Sequence, residues 1–334
     1  MSTKMAAQFD VTPEKRASAL SFIKRQLFRK TQQVTRAEAN LEGKTVIVTG
    51  ANRGLGLECS RQLLKLGASK LILAVRTVPN GEAAQAELAN DKVNHHQSIE
   101  VWKLDLSSYD SILKFIDQVK TLDRLDILVH NAGISQKNLH INRDTGHCET
   151  VQTNYISLVL LTGLLLPIFK GKNSTEKPGR LVLLSSETAA WAPFKERNQR
   201  PILSALDKEQ EDFDGMARYW TSKLLGQLFL SELVTRVPAS VAIVNAVNPG
   251  MCSSDLASDW SSGAMGVATG VLQGAIGRSP ALGARAITDA AVRHGVESHG
   301  HYLEDGKLQP CVHPFHTHPQ PQSSFRFSLL TACL

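Results

Sequence analysis

Short apolar runs alternate with longer mixed segments along most of the chain. Lys44–Thr49 (KTVIVT), Leu71–Val75 (LILAV), Ile99–Leu104, Leu125–His130 (LDILVH), Arg180–Ser185 (RLVLLS) and Ser240–Val247 (SVAIVNAV) are brief and mostly aliphatic. That is the pattern of strands buried on both faces. Between them, a segment ending at Leu66 and the segments 81–90, Tyr109–Lys120, 147–170 and 217–236 read as helices. Strands that alternate with helices pair in parallel and carry helices on both sides of the sheet. The expected fold is therefore a doubly wound α/β Rossmann fold with a mostly parallel central sheet, in one domain over about residues 41–310. The apolar run Ile156–Phe169 is broken by Thr162, Gly163 and Pro167. It is short for a bilayer span and reads as a buried core helix.

The two ends follow different patterns. Residues 13–31 (PEKRASALSFIKRQLFRKT) predict a short amphipathic helix, with Ala17, Leu20, Ile23, Leu27 and Phe28 on one side and basic residues on the other. The stripe is narrow and lacks tryptophan, which favours a helix folded back on the domain over a membrane-surface anchor. Residues 311–334 are rich in Pro, His and Ser, show no period and read as an irregular tail. His313, His316 and His318 lie there without a carboxylate or cysteine to complete a metal site.

Charge refines this picture. The net +6 comes mostly from residues 1–40, which hold eight basic and three acidic side chains. The remainder is nearly neutral, which argues against nucleic acid as a partner. The five cysteines (59, 148, 252, 311 and 333) form no C-x-x-C pair, and their number is odd. Free thiols in a reducing, cytoplasmic compartment are the simplest expectation.

The candidate chemistry sits at the strand ends. Gly50-Ala51-Asn52-Arg53-Gly54-Leu55-Gly56 lies where the first strand meets the first helix. Glycines there permit a tight turn and close approach of a pyrophosphate to the helix N-terminus. An acid usually ends the second strand of an NAD site, to hold the ribose 2′-hydroxyl. Here the strand ends Ala74-Val75-Arg76 instead. Arg53 and Arg76 could clamp a 2′-phosphate, so the expected cofactor is NADP(H) rather than NAD(H). Tyr219 and Lys223 are four residues apart and share one face of a predicted helix. An ammonium beside a phenol lowers its pKa, as a proton-transfer pair would require.

The glycine turn, Asn131-Ala132-Gly133 and Tyr219-x-x-x-Lys223, in that order, resemble the classical short-chain dehydrogenase/reductase family over most of residues 44–310. The stretches SSETAAWAPFKERN, RSPALGARAI and GHYLEDGKL are similar to its retinol-dehydrogenase-like branch, and most of all to filamentous-fungal members serving natural-product pathways. The resemblance implies an NADP-dependent enzyme that interconverts a carbonyl and an alcohol. Tyr219 would donate the proton and Ser186, rather than Ser185, would hold the oxygen. Lys223 would grip the nicotinamide ribose, and Asn154 would hold a relay water. Asp105 would border adenine, Asn131 the cofactor, and Ser254 the nicotinamide amide. Two departures stand out: the tail lacks the family's closing amphipathic helix, and Trp220 follows the tyrosine directly.

Ser186 and Tyr219 are separated by an insert, 187–218, that mixes aromatic and charged residues. It is expected to form a lid, with Trp191, Pro193 and Phe194 as an apolar wall for a hydrophobic substrate. A retinol- or lipid-type dehydrogenase and a non-enzymatic NADP(H) sensor remain alternatives at this point. So does a homodimer through the helices at 147–170 and 217–236.

Overall fold

The computed structural model describes residues 13–209, 211–253 and 273–309, together with positions 256, 259 and 270. Residues 1–12, Ser254 and everything from Pro310 onward, including the three tail histidines, lie outside it.

Eight strands form one sheet in the order β3-β2-β1-β4-β5-β6-β7-β8. They are β1 (Thr45–Thr49), β2 (Lys70–Val75), β3 (Ser98–Lys103), β4 (Ile127–His130), β5 (Gly179–Leu184), β6 (Ala242–Asn248), β7 (Tyr302–Glu304) and β8 (Lys307–Gln309). The first seven are parallel, and β8 turns back antiparallel on β7. Every residue of β1, β4 and β6 is buried, which explains why these segments are continuous apolar runs rather than alternating ones.

The helices preceding and covering the sheet are α1 (Pro13–Ala17), α2 (Ala19–Phe28), α3 (Gly54–Lys65), α4 (Val78–Leu88), α5 (Tyr109–Lys120) and α6 (Glu149–Val151). They continue with α7 (Ser157–Lys172), α8 (Ile202–Asp207), α9 (Gly215–Leu233) and α10 (Pro280–Val292). One apolar layer joins α5, α7 and α9 to the sheet through residues such as Phe115, Leu161 and Leu225. The other joins α3, α4 and α10 through Leu63, Leu88 and Ile287. This is the doubly wound arrangement, with the core split between two faces. The continuous helical stretch Glu149–Lys172 is long and apolar enough to cross a membrane by composition, but 72% of its most apolar window is buried inside the protein. It is longer than the run read from sequence and serves as a core helix.

The chain leaves β1 towards β2 and β3 on one side, then returns to place β4 on the other. The sheet's switch point therefore lies between β1 and β4, where α/β folds bind ligands at the carboxyl ends of the strands. The glycine turn ends β1, and Asn131 ends β4.

The N-terminal segment does fold back on the domain, but it is broken at Ser18 into α1 and α2, and together they turn an unexpected face inward. Arg16, Gln26 and part of Arg25 are buried, while Leu20 and Phe28 are each 77% exposed. The reason is ionic. Arg16 pairs with Glu304 at 3.0 Å, and Arg25 bridges Glu304 at 3.3 Å and Glu187 at 2.8 Å. Buried carboxylates on the domain claim the basic side of the helix, because an unpaired buried charge costs several kcal/mol (on the order of 3–5).

The insert is packed rather than a loose flap. It contains two 3-10 turns, Glu187–Trp191 and Lys195–Asn198, followed by α8. Ile202, Leu203 and Leu206 join the core, and so does Phe194, which is fully buried. Phe194 is therefore no wall of a substrate pocket. Pro193 is exposed, and Trp191 alone of the three is half-buried.

Candidate active site

The glycine turn has the shape that its sequence requires. Gly50 has φ +64° and Gly54 φ +56°, conformations that L side chains rarely adopt. A Cβ at Gly56 would overlap the Gly50 carbonyl oxygen and approach Asn131 Nδ2 to 2.6 Å, whereas the space in front of Gly54 is open. Asn131 Nδ2 donates to the carbonyls of Thr49 at 2.9 Å and Gly50 at 3.3 Å, pinning the turn to the end of β4. Helix α3 begins here, and Arg53 at its N-cap provides no side-chain cap. The first-turn N–H groups and the open space at Gly54 fit a dinucleotide pyrophosphate. Leu55 lies in that first turn, where a Cβ at Gly283 would come within 2.8 Å of it. The contact seats α3 on α10.

Gly50 N donates to Ala74 O at 2.8 Å, so Arg76 lies two residues beyond the turn's own partner on β2. Arg53 and Arg76 are both exposed at this end of the sheet. Asp105 follows β3, and its carboxylate accepts from Ser107 N at 2.9 Å and Ser107 Oγ at 2.6 Å. In this structure Asp105 therefore orders its own turn.

Across the switch point, Asp214 caps α9 by accepting from Met216 N at 2.9 Å and Ala217 N at 3.1 Å. This fixes the helix start, so that Tyr219, Ser222, Lys223 and Gln227 all face inward. Lys223 Nζ donates to Leu184 O at 2.9 Å and lies 5.8 Å from the centre of the Tyr219 ring. Ser186 lies close enough to Tyr219 to draw its phenol pKa down. Its own oxygen accepts from Thr188 N at 3.2 Å and Thr188 Oγ1 at 2.9 Å. With both lone pairs engaged, the Ser186 proton is the part left to donate. Ser185 instead accepts from Gln227 Nε2 at 2.9 Å. Ser185 is thus engaged by Gln227, whereas Ser186 lies beside Tyr219.

Asn154 lies in a π-helical turn, Gln152–Ile156, between α6 and α7. Such turns are frequent at functional sites. Its amide donates to Ile134 O at 2.8 Å and Ser222 Oγ at 3.0 Å, and Ile134 N donates to its Oδ1 at 2.9 Å. Asn154 thus satisfies buried backbone and ties the loop after β4 to α9. A small cavity beside it is lined by Leu158, Leu183, Ser185, Ser222 and Lys223.

The electrostatics reverse the sequence expectation. Burial pushes the Tyr219 pKa up to about 12, against the pull of Ser186. Burial pushes Lys223 down to about 8. Loss of hydration is the leading cause for both groups, because both have left water. His130 is held neutral, its pKa pushed down to about 4 by burial and then by the Lys223 charge.

The lowered lysine pKa has a consequence for stability. Between about pH 8 and the ordinary lysine value of 10.5, the unfolded chain binds the proton that the folded one has lost. Stability from this group therefore rises with pH across that window and is lowest below it. Cofactor-free Lys223→Met is expected to be more stable than the native protein at pH 7, with the difference closing by about pH 10.5. Denaturant titrations at both pH values check this, and a constant difference would contradict it.

Gln227, Thr188 and Ser222 were not singled out from the sequence. Gln227 lies one turn beyond Lys223 on the same face, and that helical spacing is a readable signal. The partners of Thr188 and Ser222 depend on tertiary contacts.

A glycine cradle at the switch point, facing a buried Ser–Tyr–Lys set, defines an oxidoreductase that uses a nicotinamide dinucleotide. Residues 44–196 match the sequence profile of the family described as short chain dehydrogenase. The chain is 46% identical over 310 residues to the short-chain dehydrogenase fogG of Aspergillus ruber, covering 92% of this chain and 89% of that protein. It is 40% identical to the short chain dehydrogenase/reductase mfmJ of Annulohypoxylon moriforme, covering 86% and 83% respectively. Its fold also matches a 3-oxoacyl (acyl-carrier-protein) reductase from Agrobacterium tumefaciens solved with NADP bound. That match has a TM-score of 0.61 and 17% identity, and covers 80% of this chain and 95% of the other. The chain belongs to the short-chain dehydrogenase family.

Proposed function

We propose that this protein is an NADP(H)-dependent oxidoreductase that interconverts a carbonyl and an alcohol on a hydrophobic small molecule in fungal secondary metabolism. The observation that carries the reading is the buried grouping of Tyr219 and Lys223 on one face of α9, with Lys223 Nζ 5.8 Å from the Tyr219 ring centre and Ser186 close enough to draw the phenol pKa down. The likeness to fungal dehydrogenases over some nine-tenths of the chain supports the biological setting.

Gly50, Gly54, Gly56, Leu55 and Asn131 would hold the pyrophosphate half of the cofactor, and Arg53 and Arg76 the 2′-phosphate. Ser254 is proposed for the nicotinamide amide. When bound, the reduced nicotinamide supplies the hydride to the carbonyl carbon. Negative charge then grows on the carbonyl oxygen, and the Ser186 hydroxyl donates to it. Tyr219, kept protonated by burial, delivers its proton to the same oxygen. The phenolate left behind is stabilised by Lys223, whose pKa near 8 suits proton exchange with solvent at neutral pH. Asn154 holds α9 against the loop after β4, and the cavity at its side is a place for a relay water.

The test follows absorbance at the nicotinamide band with a panel of apolar ketones and aldehydes, using NADPH and NADH in parallel. Oxidation of NADPH in preference to NADH is expected. Arg76→Glu places a carboxylate against the 2′-phosphate, so the NADPH preference should fall at least tenfold, mostly through KM. An unchanged preference would remove Arg76 from the site, and inertness towards every carbonyl would remove the reaction.

A further inference from the structure

The helix α2 lies outside the residues that match the family profile, yet it grips the site from two directions. Its first attachment is the 3-10 turn Glu187–Trp191, whose N-cap is the catalytic Ser186. Arg25 bridges Glu187 at 2.8 Å, and Trp191 Nε1 donates to the Ala17 carbonyl, just before α2, at 2.8 Å. The turn is therefore fastened at its first and last residues. Phe22 adds an edge-on contact with the Trp191 ring, with centroids 5.5 Å apart.

The second attachment is the base of the loop that follows Pro249-Gly250. Gln26 Nε2 donates to Met251 O at 2.6 Å and Ile276 O at 2.8 Å, and Met251 N donates to Gln26 Oε1 at 3.1 Å. Arg278 donates to Arg25 O at 3.1 Å and Arg29 O at 2.8 Å. Met251 and Arg278 also pair with each other, Arg278 N donating to Met251 O at 2.9 Å. One glutamine thus joins both strands of the neck of segment 252–277.

A helix held only by packing would bury Leu20 and Phe28, yet these stay in solvent while its polar groups face inward. Its inward polar side chains bind the serine turn and the loop neck, both at the carboxyl ends of β5 and β6. Glu187 is also the neighbour of Ser186 in the chain, so a shift of its carboxylate moves the serine directly.

We propose that α2 is a clasp that completes the active site, with Arg25 and Gln26 as positioning residues. Arg25 sets the Ser186 turn, and Gln26 holds Met251 and Ile276 together beyond the end of β6. The activity readout rests on the carbonyl–alcohol reading above, whereas the clasp itself can be measured without it.

The experiment compares full-length Arg25→Ala, Arg25→Lys, Gln26→Ala and Arg25→Ala/Glu187→Gln with the native protein. It measures kcat and KM for a ketone, the Kd for NADPH, and hydrogen exchange of the peptides covering 186–192 and 249–253. All assays run well below the lowest Tm, so that every variant is folded. Arg25→Ala should lower kcat at least tenfold and speed exchange at 186–192, with the NADPH Kd within about threefold. Arg25→Lys should keep more of the activity. Arg25→Ala/Glu187→Gln should recover part of kcat, because the orphaned carboxylate beside Ser186 is gone. Gln26→Ala should speed exchange at 249–253 and raise KM. Native kinetics in the two alanine variants would overturn the proposal, even if exchange rises, since the helix would then serve stability alone. A native protein inert towards all carbonyls would sink the reaction reading. Exchange at 186–192 would still decide the clasp, which is overturned if Arg25→Ala leaves it unchanged.

Discussion

Tyr219→Phe is expected to lower turnover by at least about a thousandfold while leaving the NADPH Kd within a few-fold of native. General acid–base catalysis by one positioned group contributes roughly 10²–10⁴, and no second proton donor of the same reach is evident among the described residues. Ser186 can polarise the oxygen, but it cannot readily give up its proton, since the pKa of a hydroxyl is far higher than that of a phenol. Lys223 Nζ donates to Leu184 O at 2.9 Å and lies 5.8 Å from the centre of the Tyr219 ring. The substitution removes one oxygen and keeps the ring, so the packing around α9 survives. The glycine cradle belongs to β1 and α3 and is untouched. Stopped-flow absorbance for turnover and fluorescence titration for binding separate the two quantities. Turnover within tenfold of native would mean that the proton comes from elsewhere.

The parts of the fold that were legible in the sequence are those built by one local pattern. Strands β1 to β6 appear within about two residues of the apolar runs that announced them, because β1, β4 and β6 are buried on both faces and have no polar position to blur them. Strands β7 and β8 have three residues each, too few for any period to show. Helix α10 carries a capping Ser279 and a first-turn proline, both readable signals. Its small Ala and Gly side chains give little contrast between its faces, however. The site was legible as residue types at fixed spacings, and the structure brings Ser186, Tyr219, Lys223 and Asn154 together as expected. The direction of the tyrosine pKa was not legible, since the sequence shows the ammonium's neighbour but not the water both have lost. Nor was the facing of α2. Its partners Glu187 and Glu304 lie more than 160 residues away in sequence, and helical periodicity alone would put its apolar side inward.

The largest stability effect is expected at Arg218, the residue before Tyr219. Its side chain is 4% exposed, and it pairs at 3.0 Å with Glu196, which is 8% exposed. It also donates to Leu206 O at 2.6 Å, and its guanidinium lies 5.6 Å from the centre of the Phe213 ring. One side chain on α9 thus holds the second 3-10 turn of the insert and the end of α8. Arg218→Ala breaks the buried ion pair with Glu196, a loss on the order of 3–5 kcal/mol. For a chain of this size, that corresponds to a fall in Tm on the order of 10 °C. Adding Glu196→Gln should restore more than half of the loss, because the broken ion pair, rather than the lost Leu206 contact, is the main cost. Calorimetry of the single and double variants distinguishes the two causes. If Arg218→Ala melts like the native protein, the insert is held by its apolar residues Ile202, Leu203 and Leu206 alone. If it melts early and the double variant does not recover, the Leu206 carbonyl rather than Glu196 is the critical partner.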